Sequence, residues 1–344
     1  MKWGIFCLFE RFNGDARDAI ENQLKLIELA DAMHFDEIWL GEHHFNDFSI
    51  CPSPSLLLAY IAARTKHARL GVAGFLAPFY DAIRLAEEVA MLDILSHGRI
   101  NLGFAKGAFA PDSKHFNVTK EQLRPRMKEC ADAVTQLLHV KGRPVGYEGA
   151  YMNFAEVDIE PKPLQEKIPT YIATFASDET IMYAAQKGFG LMLSQGVDLE
   201  ECVRVSDLYE SIAGIKPEIV LLRTFYVSEC HASACVNARP MIDHFAKSMR
   251  AASAFNKSPY FNRRHYEKLI AERNTFFDGG KFFECGIIGD SKACIKKIKT
   301  IQKALCNVTI ALKPLGADLF ENVDLLRKFN EMVRPYCEVT KEVV

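Results

Sequence analysis

Eight short runs rich in β-branched and aromatic residues alternate along this chain with longer stretches of helical spacing, and that alternation limits its fold more than any other feature. The strand-like runs are residues 3–9, 37–40, 69–74, 100–103, 170–173, 190–193, 219–227 and 308–312. In the first helical stretch Ile20, Leu24, Ile27 and Ala30 recur on one face, while Glu21, Lys25 and Glu28 fall on another. Further helices are expected at 54–65, 80–95, 120–140, 177–187, 199–214, 232–253, 290–304 and 319–334. Strands separated by helices pair in parallel through right-handed crossovers. Two closures are compatible with this order, a (β/α)8 TIM barrel and an open doubly wound sheet. The open sheet would show a glycine-rich nucleotide turn after an early strand, but the chain there reads Glu10-Arg11-Phe12-Asn13-Gly14. An α/β TIM barrel over residues 1–344 as one domain is therefore the expectation. Two segments exceed ordinary barrel loops. Residues 141–169 read as a Gly- and Pro-rich excursion, and residues 254–285 as a long insertion before the last helix–strand pair. The insertion is either a lid or a solvated surface loop.

The composition narrows the class. Hydrophobic residues make up 49% and charged residues 25%, as in an ordinary globular enzyme. A formal charge of −2 without a basic block gives no nucleic-acid footprint. No run of about 18 apolar residues is present, so no membrane span is expected. Met1-Lys2-Trp3 runs straight into a strand-like segment, so no signal peptide is expected. Ten scattered cysteines with no C-x-x-C pair suit reduced thiols and a cytoplasmic location.

Three groups of residues carry chemistry. Trp39-Leu40-Gly41-Glu42-His43-His44-Phe45 passes from an apolar run into three adjacent ionisable side chains. Unpaired polar groups cost several kcal/mol inside a buried strand, so this cluster belongs where the second strand leaves the core. In a barrel that edge is the catalytic face. Adjacent histidines at a strand end project in opposite directions, which argues against one shared metal, and no metal site is assigned. The expected division sends one histidine into the mouth, with its neighbour and Glu42 fixing tautomer and orientation. The second group, Gly103-Phe104-Ala105-Lys106-Gly107, sets a cation among glycine-freed amides after the fourth strand. It reads as half of a phosphate site or as a plain turn. The third, Phe175-Ala176-Ser177-Asp178-Glu179-Thr180, opens a helix with Ser177 as N-cap and Thr180 in the first turn. Its free N–H groups suit phosphate, provided that Asp178 and Glu179 face solvent.

At these residues the chain resembles the bacterial luciferase family of flavin-dependent monooxygenases, from Met1-Lys2-Trp3-Gly4 nearly to Met332-Val333-Arg334-Pro335-Tyr336. The most specific pieces are Phe35-Asp36-Glu37-Ile38-Trp39-Leu40-Gly41-Glu42-His43-His44-Phe45 and Leu85-Ala86-Glu87-Glu88-Val89-Ala90-Met91-Leu92-Asp93-Ile94-Leu95-Ser96-His97-Gly98-Arg99. The resemblance implies a modified barrel acting as a homodimer. It would use reduced FMN from a separate flavin reductase and O2, through a peroxyflavin, on a small organic substrate. An aldehyde is the family's best-known choice. It assigns His43 to catalysis, supported by Glu42 and His44. The cofactor site would comprise Lys106, Ser177 and Thr180 at the phosphate, Ala73-Gly74 as a strained, cis peptide beneath the ring, and Ser194. Ala105 stands where the luciferase catalytic subunit has a reactive cysteine, and Gln195 where it has a tryptophan; the 254–285 insertion also differs. These departures argue against light emission and leave flavin-dependent oxygenation in place. Two alternatives share the barrel: a deazaflavin-dependent oxidoreductase, and a non-catalytic flavin-binding partner subunit.

Overall fold

The computed structural model describes residues 1–11, 15–46, 49–253 and 278–338. Eight parallel strands carry the barrel: β1 (Lys2–Cys7), β2 (Glu37–Leu40), β3 (Arg69–Val72), β5 (Ile100–Ala105), β8 (Thr170–Thr174), β9 (Gly190–Leu193), β10 (Glu218–Val227) and β12 (Asn307–Pro314). Each pairs with the next in that order, and β12 pairs back with β1 (Lys2 opposite Thr309), so the sheet closes. Closure excludes the open doubly wound sheet. The helices between the strands are α1 (Ala16–Ala32), α2 (Pro54–Arg64), α3 (Ala82–Leu95), α4 (Ala110–His115), α5 (Lys120–His139), α6 (Asp178–Lys187), α7 (Leu199–Ala213) and α8 (His231–Ser253). After the undescribed stretch come α9 (Gly279–Cys285), α10 (Ser291–Ala304) and α11 (Leu319–Met332).

Every expected strand is found, those at 37–40 and 190–193 with the expected ends and the others with altered ones. The third stops at Val72, and after Ala73-Gly74 the chain resumes as β4 (Phe75–Leu76), pairing with the end of β5. The 141–169 excursion contains an antiparallel hairpin, β6 (Val145–Glu148) with β7 (Asn153–Val157). It is tied down where Gln165 bonds both carboxylate oxygens of the buried Asp93, at 2.8 and 2.7 Å. Of the 254–285 insertion, residues 254–277 lie outside the described part and the remainder includes α9, followed by the short strand β11 (Ile287–Gly289) against β10. All ten cysteines are free thiols. No helix among the described residues is long and apolar enough to cross a membrane.

The period of two along each strand decides what fills the barrel. Low in the barrel, Trp39 meets Tyr171 edge-on at 5.4 Å between ring centroids. Glu37, fully buried, accepts from Trp39 Nε1 at 2.9 Å and from Lys2 Nζ at 3.4 Å, which is why a carboxylate is tolerated there. Two residues beyond Gly71, Gly103 and Tyr171, the interior positions are Ala73, just past the end of β3, Ala105 and Ala173, all lining a cavity. Large side chains below and methyl groups above leave the C-terminal mouth open and the opposite end filled.

Candidate active site

The cavity at the mouth has a volume of about 470 Å³. Of the nine residues expected at the site, Glu42, His43, Ala73, Gly74, Lys106, Ser177, Thr180 and Ser194 line it; His44 does not. Gly41, at the end of β2, still donates to the carbonyl of Cys7 at 3.0 Å, so the strand direction carries into the next residues. His43 shares the parity of Trp39 and faces the cavity, its ring 5.0 Å from that of Phe109. His44 turns outward onto Phe116, at 5.0 Å. Opposite projection of the two histidines is therefore observed. The partner of Glu42 differs from expectation: its carboxylate bonds His44 Nε2 at 2.9 Å, not His43, and also accepts from Leu76 N–H at 2.9 Å and from Tyr80. Glu42 thus staples the β2 exit to β4, next to the Ala73–Gly74 peptide.

Burial sets the protonation of this cluster. It pushes the His43 pKa down to about 3, with His44 adding repulsion, so His43 is a neutral imidazole at physiological pH. Burial also raises Glu42 above the usual carboxylate range, partly offset by its three donors. Asp112, on α4, is 1% exposed, and neither carboxylate oxygen has a hydrogen-bond partner. Burial lifts its pKa to about 7; Glu42 adds to the rise and His44 opposes it.

The Ala73–Gly74 peptide is cis, as the resemblance implied. A Cβ on Gly103 would lie 2.0 Å from the carbonyl oxygen of Val72, so β5 approaches β3 more closely than any side chain permits. Across the mouth, Gly107 has φ +81, which turns the chain after β5 and leaves Lys106 on the cavity wall. Ser177 occupies the N-cap position of α6, but its hydroxyl makes no capping bond. It accepts from Arg124 Nη2 at 3.0 Å instead, which corrects the capping assignment. Asp178 and Glu179 are mostly exposed, as required, and pair with Arg204 and with Arg124 and Lys128.

Arg124, on α5, is the residue that sequence reasoning missed. It lines the cavity beside Ser177 and Thr180, and its buried Nε has no partner. Its one faint signal is a place between the buried Leu123 and Met127, yet Lys120, Arg126 and Lys128 lie on the same helix. Gln195, 4% exposed, lines the wall beside Ser194, whose hydroxyl donates to it at 3.3 Å. Phe6, Leu8, Met192, Leu222, Phe245 and Met249 supply apolar surface. Near Phe245, Lys313 pairs with Glu10 at 2.6 Å and sits over the Phe245 ring.

A fold of this kind, and a sequence of this kind, are found in known proteins. The sequence model of the luciferase-like monooxygenases matches residues 1–307. The oxygenase component of a flavin-dependent trigonelline monooxygenase from Acinetobacter baylyi is 30% identical over 251 residues, covering 70% of this chain and 69% of that protein. The alkanal monooxygenase alpha chain of Photobacterium leiognathi is 29% identical over 362 residues, covering 98% and 99%. Among solved structures, a monooxygenase from Streptomyces bottropensis superposes with a TM-score of 0.83 at 26% identity, covering 98% of this chain and all of that one. The chain belongs to the luciferase-like monooxygenases, and it is a flavin-dependent oxidoreductase of the oxygenating kind.

Proposed function

We propose that this protein is an FMN-dependent monooxygenase that takes reduced flavin from a separate reductase and inserts one oxygen atom from O2 into a small, largely apolar substrate. One observation carries the reading: a single cavity joins a cationic end, where Arg124 Nε has no partner, to the buried neutral His43. An orphaned guanidinium N–H beside Lys106 and the hydroxyls of Ser177 and Thr180 fits a phosphate monoester. These four residues would hold the phosphate, and Ala73, Gly74 and Ser194 would face the ring. When bound, reduced flavin supplies the two electrons that activate dioxygen. The chain's own contribution is local. His43, neutral and walled by Phe109, can accept a proton at the reacting centre without first losing one. Glu42 and His44 hold the β2 exit in place, and the apolar wall keeps water out.

The relative described as an oxygenase component supports a second catalytic component, and the sequence carries no G-x-G-x-x-G dinucleotide turn. A homodimer is part of the same reading. Leu56 and Tyr60 on α2, and Met91 and Leu95 on α3, form two exposed apolar i, i+4 pairs on neighbouring helices. The test supplies reduced FMN and ¹⁸O2 with panels of aldehydes, alkanes and sulfonates. Product carrying one ¹⁸O atom supports the reading. Flavin oxidation with no labelled product from any panel member sinks it, and a tightly retained deazaflavin chromophore would point to hydride transfer instead.

A further inference from the structure

Side chains of β10 alternate across the barrel wall, so Leu222 lines the mouth cavity while Arg223 points into the helical layer behind it. Arg223 is 2% exposed. Its Nη1 donates to the carbonyls of Leu222 at 2.9 Å and Ser194 at 3.3 Å, and its Nη2 to the carbonyl of Val197 at 2.7 Å. Nη2 also meets Cys202 Sγ at 3.8 Å. Among the described residues no carboxylate pairs with it, and its buried Nε has no partner. Neutral acceptors satisfy the N–H groups without cancelling the charge, and a buried charge is ordinarily paired.

Arg223 borders a second cavity of about 340 Å³ beside α7, α9 and α10. Lys296 and Lys297 line it too, and no Asp or Glu does among the described residues. Lys297 donates to the carbonyl of Glu284. Burial, and then the nearby Arg223, depress its pKa, while Cys285 and Glu284 act the other way. Asp198, which is close enough to act on Cys285, is already engaged as the cap of α7 through Glu201 N–H at 2.9 Å. The rest of the wall is mainly apolar, including Leu199, Ala293 and Ile301. Several exposed cations of this chain are set against carboxylates, as in Arg204 with Asp178 or Lys216 with Asp207. Here three cations border one cavity without one.

We propose that this cavity binds a small amphipathic carboxylate, its head group answering Arg223 and Lys297 and its alkyl chain lying on Leu199, Ala293 and Ile301. A single unsatisfied guanidinium N–H and an apolar wall favour a monoanion over inorganic phosphate, which needs more donors. The ligand would lie behind the Ser194–Val197 segment, whose Ser194 and Val197 carbonyls Arg223 holds and whose Ser194 and Gln195 line the mouth.

Calorimetric titration of the full chain with octanoate, octanol and inorganic phosphate tests this. Octanoate binds with one-to-one stoichiometry, and more tightly than either control. Lys297→Met weakens it by about tenfold or more, and Ala293→Trp, which fills the cavity, abolishes it. FMN affinity and the far-ultraviolet circular dichroism of both variants stay at the wild-type level. The proposal is overturned if octanoate fails to bind, if both variants bind it normally, if octanol or phosphate binds as tightly, or if FMN displaces it.

Discussion

His43 and His44 are neighbours in the chain, yet one faces the cavity as a neutral imidazole and the other pairs with Glu42 outside it. The parity was readable: counting by two from Trp39 places His43 inward. The bond of Glu42 to His44 was not, because it depends on how β4 brings Leu76 N–H to the same carboxylate. His43→Ala should leave flavin affinity near normal and lower turnover by roughly a hundredfold or more; retained turnover would remove the catalytic assignment. Lys106→Ala should weaken FMN binding more than riboflavin binding, since only FMN carries the phosphate, and titrating both ligands measures the difference. Asp112 carries a pH prediction. Its folded pKa, about 7, lies above the ordinary value near 3.8, so the folded state holds a proton that the unfolded chain has already released. Its presence therefore costs stability progressively as pH rises from about 4 to 7. Asp112→Asn should be more stable than the wild type at pH 8, by a few kcal/mol, and close to it below pH 4. Urea denaturation at both pH values checks this.

The start of α6 shows how an element can be predicted correctly and explained wrongly. Ser177 has the residue type and backbone geometry of an N-cap, and α6 begins at Asp178 as the spacing implies. The hydroxyl is drawn instead to Arg124, which arrives from a helix 53 residues away in sequence. Ser177→Ala should consequently cost less than the ~1 kcal/mol of a lost capping hydroxyl, while FMN affinity falls. Thermal melts and flavin titration separate the two effects. The same contrast holds for β3: its strand character was clear, but the break at Ala73-Gly74 was expected only through family resemblance. Residues 141–169 were read as irregular because Gly and Pro dominate, and the β6–β7 hairpin alternates only between half-buried and exposed positions. A strand pair with no buried face leaves little hydrophobic signal.

For the whole molecule, exposed Leu56, Tyr60, Met91 and Leu95 predict that the protein runs in light scattering at twice its 38.8 kDa chain mass. A Leu56→Glu, Met91→Glu variant should run as a monomer with unchanged circular dichroism; a wild-type monomer would refute the proposed dimer. Eight strands in alternation with helices, and the lack of a glycine-rich turn after the first of them, were enough to favour a closed barrel over an open sheet. Local periodicity encodes which face each residue takes, and right-handed crossovers leave few ways to connect the strands. Residue patterns gave Glu42, His43, Lys106, Ser177 and Thr180, and the resemblance added Ala73, Gly74 and Ser194; all eight line one cavity. Only the tertiary structure could add Arg124, Asp112 and Arg223. What distinguishes them is burial and an unfilled hydrogen-bond or charge requirement, and neither quantity exists until distant elements have packed around the side chain.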